Sequence, residues 1–155
     1  MRDLDSLEIK ILTELQKNGR LTNQELANLV QLSASACWRR VRSLEEDGVI
    51  KNYQARVDGS KVGFPETIFA RVSLEKHSDD LVKNFEAAMI NRPEVMECFA
   101  TTGDSDYLLR VVALQIGDYD NFIQSFLLKI EGVSQVRSNF QLREVKALAP
   151  YPLKF

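Results

Sequence analysis

The chain has 155 residues, enough for one domain of ordinary size or two small ones. At 45% hydrophobic and 27% charged, with sparse glycine and proline, it has the composition of a folded globular protein and excludes a long disordered tract. A formal net charge of -2 does not by itself point to nucleic acid. No apolar run is long enough to span a membrane, and the acidic start Met1-Arg2-Asp3-Leu4-Asp5 lacks the pattern of a signal peptide, so a cytoplasmic location is expected.

Leu4, Leu7, Ile11, Leu12 and Leu15 recur at helical spacing and predict a first helix over 4–17. Asn18-Gly19-Arg20 ends it, with glycine as the C-terminal cap. Thr22 followed three residues later by Glu25 is a capping box, and opens a short helix over 23–30. Leu26, Ala27, Leu29 and Val30 make its apolar side. Leu32 turns the chain inward, and Ser33 caps a third helix reaching 46. Its buried stripe is Cys37, Val41 and Leu44. The acids Glu45-Glu46-Asp47 are unfavourable at a helix C-terminus, so they are expected to reach solvent or to pair with Lys or Arg. Gly48 is the expected cap. The segment Ile50-Lys51-Asn52-Tyr53-Gln54-Ala55-Arg56-Val57 reads as a strand, either a wing or a connector. The Gly, Ser and Pro of 58–65 mark a domain boundary, dividing 1–60 from 61–155.

The second half alternates strand and helix signals. Strands are predicted at 67–74, 95–101 and 107–114, with a fourth inside 133–145. Leu81, Phe85, Ala88 and Met89 form one helical stripe, with Asp79 or Asp80 near its start. Tyr119, Phe122, Ile123, Phe126 and Leu127 form another, preceded by Gly117-Asp118 and ended by Gly132. The order is β-α-β-β-α-β, a ferredoxin-like pattern. The fold class is therefore α+β in two domains, a helix-turn-helix followed by a ferredoxin-like domain. Helices on one face of the sheet leave the other uncovered, and a second subunit is the expected cover.

Cys37 and Cys98 are far apart and His77 is the only histidine, which argues against a Cys/His zinc site. Both thiols are expected to be reduced and buried. A Cys98–His77 catalytic pair is rejected because nothing supplies the geometry. No phosphate loop, metal constellation or cofactor fingerprint is present, so no enzyme, metal or cofactor is expected.

Four stretches, in this order, carry a resemblance over nearly the whole chain. They are Leu4-Asp5 with Ile11-Leu12 and Leu15-Gln16; Leu32-Ser33 through Arg39-Arg40-Val41 to Leu44-Glu45-Glu46-Asp47-Gly48-Val49-Ile50; Thr102-Gly103-Asp104-Ser105-Asp106-Tyr107-Leu108-Leu109; and Leu142-Arg143-Glu144-Val145-Lys146. The chain resembles the leucine-responsive/asparagine-regulator (Lrp/AsnC, feast/famine) family of prokaryotic transcription regulators. The resemblance implies a winged helix-turn-helix on double-stranded DNA and a βαββαβ domain that senses a small molecule, usually an amino acid, near the Gly-Asp-x-Asp loop between subunits. It also implies homodimers that often assemble into octamers. Three positions depart from the family's pattern: Glu8 for a common aspartate, with a local effect expected; Ala34 for a common proline at the start of the third helix; and Val136 for a threonine, which removes a hydroxyl expected near the effector.

The third helix is the expected major-groove reader. Arg39, Arg40 and Arg42 fall together with no acid between Ser33 and Ser43. Ser35, Trp38 and Arg39 are the leading base-edge or groove-wall residues, Arg39 reading equally as a phosphate contact or a solvated surface charge. Trp38, one residue off the buried stripe, reads equally as groove-facing or as packing. Arg40 and Arg42 read as phosphate clamps, although either could pair with the Glu45–Asp47 run. Ser33 and the start of the second helix, Thr22, Asn23 and Gln24, complete the DNA set through helix N-termini, with capping as the alternative for Thr22. For the effector, Gly103 exposes backbone N–H groups that can receive a carboxylate, and Asp104 or Asp106 can receive an ammonium. Thr101, Thr102 and Ser138 are secondary candidates. The alternative for the loop is a simple hairpin turn with Asx hydrogen bonds. For the whole chain, the alternative is an architectural protein that wraps DNA without an effector.

Overall fold

The computed structural model describes residues 3–75 and 78–153. His77 lies outside the described residues. The chain forms two compact units. One runs through Arg56 and also takes in the chain from Val145 onward; the other spans Val57–Glu144.

The first unit holds α1 (Ser6–Lys17), α2 (Asn23–Val30) and α3 (Ala34–Glu46). Ile11, Leu12, Leu26, Ala27, Val30, Cys37 and Leu44 form its buried core, as the helical stripes require. The predicted Thr22–Glu25 capping box is present on α2, and Ser33 caps α3. Ala34 starts α3 without difficulty. A second capping box, not foreseen, opens α1. Asp5 accepts from the Leu7 and Glu8 N–H groups at 2.9 and 2.8 Å, and the Glu8 carboxylate accepts from Asp5 N–H at 3.0 Å. The turn between α2 and α3 is made by Gln31 in the left-handed region, at φ 58°.

Residues 51–58 form no regular element, in contrast to the predicted strand. A strand needs a ladder partner, and among the described residues this unit contains none. Tyr53 is instead fixed by its side chain, its hydroxyl donating to Glu45 Oε1 at 2.9 Å. The C-terminal segment packs in this unit too. Tyr151 N–H donates to Gln16 Oε1 at 2.6 Å, Arg56 Nη1 donates to the Leu148 carbonyl at 3.3 Å, and Leu153 packs against the helical core.

The second unit contains β1 (Glu66–Leu74), α4 (Asp79–Ile90), β2 (Val95–Ala100), β3 (Tyr107–Ala113), α5 (Ile116–Ser125) and β4 (Val133–Phe140). The strands form one sheet in the order β2-β3-β1-β4, and each neighbouring pair is antiparallel. This is the βαββαβ arrangement read from the sequence. α5 starts earlier than its apolar stripe, so Gly117 and Asp118 lie in its first turn instead of before it. A short 3-10 turn, Leu127–Lys129, follows it. Gly132 then turns the chain into β4 at φ 88°, where an added Cβ would lie 3.1 Å from Leu81 Cδ1.

Alternation sorts the sheet into two faces. Ile68, Ala70, Val72 and Leu74 of β1, with Tyr107, Leu109, Val111 and Ala113 of β3, are buried with Phe85, Met89, Tyr119, Phe122 and Leu127. Their neighbours along the strands, Phe69, Arg71, Leu108, Arg110 and Val112, occupy the opposite face, which no helix buries among the described residues of the unit. Cys37 is buried as expected, but Cys98 is exposed. It lies on the edge strand β2, which is exposed along most of its length.

Candidate nucleic-acid and effector sites

The three arginines of α3 have different fates. Arg40 reaches back to α1, its Nη1 donating to Asp5 Oδ2 at 2.5 Å and lying 3.9 Å from Glu8 Oε1. Backbone donation from Glu8, then the Arg40 hydrogen bond, hold the Asp5 carboxyl below the usual aspartate range. Glu8 therefore acts beyond its own turn: a nearly buried acid approaches the third helix. Arg42 Nε donates to Glu46 Oε1 at 2.7 Å, the pairing allowed by the acidic run, and its guanidinium lies 5.2 Å from the Trp38 ring centre. Arg39 is exposed and, among the described residues, makes no hydrogen bond or ion pair.

Ser35, Trp38 and Arg39 stand at i, i+3 and i+4, one patch near the start of α3, and all three are exposed. Trp38 is half-exposed at 50% and borders a groove of about 470 Å³ lined also by Leu15, Leu26, Val41 and Tyr53. The Tyr53 hydroxyl, desolvated and bonded to Glu45, is pushed up to about 12.

The polar residues around the turn are largely committed to local structure. Asn23 Nδ2 donates to the Ala34 carbonyl at 2.8 Å and so ties the start of α2 to the start of α3. Gln24 Nε2 donates to Asn28 Oδ1 at 3.1 Å. Thr22 Oγ1 both accepts from Glu25 N–H and donates to its carboxylate. Ser33 Oγ accepts from Ala36 N–H and lies 3.3 Å from Ser35 Oγ. These bonds tie the start of α3 to the turn before it, and Arg39 is the one cation of α3 left without a bond among the described residues.

In the second unit, the loop joining β2 to β3 is braced from within. Thr101 N–H donates to the Asp106 carbonyl at 2.8 Å, and Thr101 Oγ1 donates to the Ser105 carbonyl at 2.9 Å. Asp106 is attached to β1 at two points: its N–H donates to the Val72 carbonyl, and its Oδ2 accepts from Leu74 N–H at 2.7 Å. Gly103 sits at φ 111°, a conformation that disfavours a side chain, while the space around it is open. Asp104 is exposed and uncommitted among the described residues. Thr101, Thr102, Gly103, Asp104 and Ser105, with Arg71 and Leu108, line an open depression of about 380 Å³.

The two aspartates of the loop are thus not equivalent. Asp106 is bonded to β1, whereas Asp104 makes no hydrogen bond or ion pair among the described residues. Ser138 is not at this depression. It pairs with Ala70 on the helix-facing side of the sheet, and its hydroxyl lies 2.6 Å from that of Tyr119. Val136 pairs with Val72 on the same side and packs against the core, so its departure from threonine bears on packing there. The sequence reading overlooked Arg71. Its strand parity, opposite to that of the buried Ala70 and Val72, was the available signal.

Two family models match the chain: "Winged helix-turn-helix DNA-binding" over residues 4–51 and "Lrp/AsnC ligand binding domain" over residues 67–150. The chain is 40% identical over 153 residues to the Bkd operon transcriptional regulator of Pseudomonas aeruginosa, covering 99% of this chain and 100% of that protein. It is 42% identical over 144 residues to the leucine-responsive regulatory protein of Rhizobium meliloti, covering 93% and 92%. Among solved structures, it is similar to a transcriptional regulator of Neisseria meningitidis in complex with L-Met, with a TM-score of 0.91, 39% identity and coverage of 97% of each chain. An AsnC family transcriptional regulator from Agrobacterium tumefaciens matches with a TM-score of 0.88 and 39% identity, covering 96% and 97%.

Proposed function

The chain belongs to the Lrp/AsnC family of DNA-binding transcriptional regulators and is not an enzyme, and we propose that it binds specific operator DNA under the control of an amino acid. The observation that carries this reading is the contrast within each candidate site. Arg39 on α3 and Asp104 in the loop are left uncommitted, while their neighbours Arg40 and Asp106 are bound into the fold. Arg39, with Ser35 and Trp38, reads base edges in the major groove. The loop receives the effector, with Asp104 facing the ammonium and the backbone around Gly103 presenting N–H groups. The L-Met complex of the Neisseria meningitidis regulator supports an amino acid as the ligand class.

The working form is a cytoplasmic homodimer that assembles further, to an octamer. The open sheet face supports this, since Phe69, Leu108 and Val112 lie on it without a covering helix, and Phe99 is 51% exposed. Effector occupancy near a subunit interface would then alter the spacing of the DNA-reading units. Among the described residues, no helix is long and apolar enough to cross a membrane.

The test is genome-wide binding of the native protein with and without a panel of amino acids, followed by gel shifts on the sites found. Discrete sites whose occupancy changes with one amino acid are expected. Sites spread at helical phase over long stretches, indifferent to every amino acid, would replace this reading with the architectural one.

A further inference from the structure

On the open face of the sheet, Arg71 of β1 lies between Leu108 of β3 and Arg137 of β4, its direct cross-strand partners. Arg71 and Arg137 are both exposed, and among the described residues neither makes a hydrogen bond or an ion pair. Arg110 on the same face differs, its Nε donating to Glu97 Oε2 at 2.6 Å. Like charges directly opposite each other on a sheet repel, a cost that a bound anion offsets. Among the described residues, Arg71 is also the one cation lining the depression beside the loop, and Asp104 is its one acid. A concavity with one free guanidinium and one free carboxylate complements a zwitterion.

We infer that Arg71 is the specificity-determining residue for the carboxylate of the effector, with Arg137 beside it reinforcing the positive field. This rests on the loop being the effector site, as proposed above, and shifts recognition of the carboxylate from the backbone at Gly103 to a side chain. A guanidinium grips a carboxylate through two parallel N–H bonds. The Asp104 carboxylate remains for the ammonium. Ligands lacking either charge bind poorly, and hydroxyls from Thr101, Thr102 and Ser105 surround the gap.

The experiment is titration calorimetry of the full chain against the standard L-amino acids and the α-amide of the tightest binder. Wild type, Arg71→Gln, Arg71→Lys and Asp104→Asn are compared. Wild type is expected to prefer the acid to its amide by at least about tenfold. Arg71→Gln should weaken the acid by about 10- to 100-fold and remove that preference. Arg71→Lys should keep the preference. An Arg71→Gln variant with wild-type affinity and preference overturns the assignment. If Asp104→Asn alone weakens binding, the loop site stands and the role of Arg71 falls. If neither variant matters, or no amino acid binds wild type, both readings fall. Sedimentation velocity runs on the same samples. Where Arg71→Gln changes assembly, Arg71→Lys decides, retained preference supporting the assignment and lost preference overturning it.

Discussion

On α3, Arg40 and Arg42 are held by acids of the chain itself, whereas on the open sheet face Arg71 and Arg137 stand opposite each other with none among the described residues. The difference follows from geometry. Successive residues of a helix point about 100° apart, so each arginine can find its own acid, one on α1 and one a turn further on. A sheet fixes cross-strand neighbours by register, and two like charges in register cannot avoid each other. Among the described residues the helix therefore leaves one cation without an acid, Arg39, and the sheet leaves a pair. The loop repeats the contrast in acids, with Asp106 spent on Leu74 and Asp104 unspent.

The comparison breaks most directly at Arg39. Arg39→Ala should cost about 1–3 kcal/mol of binding to a specific operator and much less on scrambled DNA of equal length. Gel-shift titrations at fixed salt measure both, and equal losses would reduce Arg39 to a phosphate contact. Next comes the loop. Asp106→Ala strands the Leu74 N–H and should lower unfolding free energy in urea by about 1–3 kcal/mol, while Asp104→Ala stays within about 0.5 kcal/mol. Similar losses for the two would erase the distinction between them.

A smaller effect separates Arg40 from Arg39. Arg40→Ala removes the contact with Asp5 and should cost about 1 kcal/mol of stability, while Arg39→Ala leaves the urea midpoint nearly unchanged. The matching acid-side measurement follows Asp5. Its carboxyl is held below the usual range, so its contribution is present above the unfolded value and is lost as pH falls through the folded one. The smallest effect is alkaline. Tyr53 and Tyr107, each bonded to a glutamate, are pushed up to about 12. Both bind their protons more tightly folded than unfolded, so stability should decline as pH rises from about 10 to about 12. Absorbance titration of Glu45→Gln should move only the Tyr53 transition downward.

Local rules made much of this legible in advance. The Thr22–Glu25 box, the Ser33 cap and the stripe Cys37, Val41, Leu44 are all set within a few residues. So is the strand and helix order of the second unit. The misses share a cause, a partner remote in sequence. Asp5 finds Arg40 thirty-five residues away. The segment after α3 carries strand-like residues but, among the described residues of its unit, has no strand beside it. Cys98 sits on an edge that sequence alone cannot identify. Ser138 and Val136 needed only the parity of β4 against β1, which places them with Ala70 and Val72 and away from the loop depression. Arg71 followed from the same parity, and its significance emerges only once β4 supplies Arg137 as its neighbour.

The return of the chain from Val145 onward to the helical unit has a consequence for biosynthesis. Gln16 and Tyr151 are 135 positions apart, yet they hydrogen-bond in one unit, and Leu153 helps close its core. The helix-turn-helix is therefore a discontinuous domain whose three helices are synthesised before the sheet and whose last layer is synthesised after it. Long-separation contacts of this kind form late, because the intervening loop must be closed before they contribute. A nascent chain halted near Glu144 would carry α1, α2 and α3 without their final layer. The DNA-reading unit should thus reach full protease resistance only once residues 145–153 have emerged and packed against it, a built-in delay between making the helices and completing their fold.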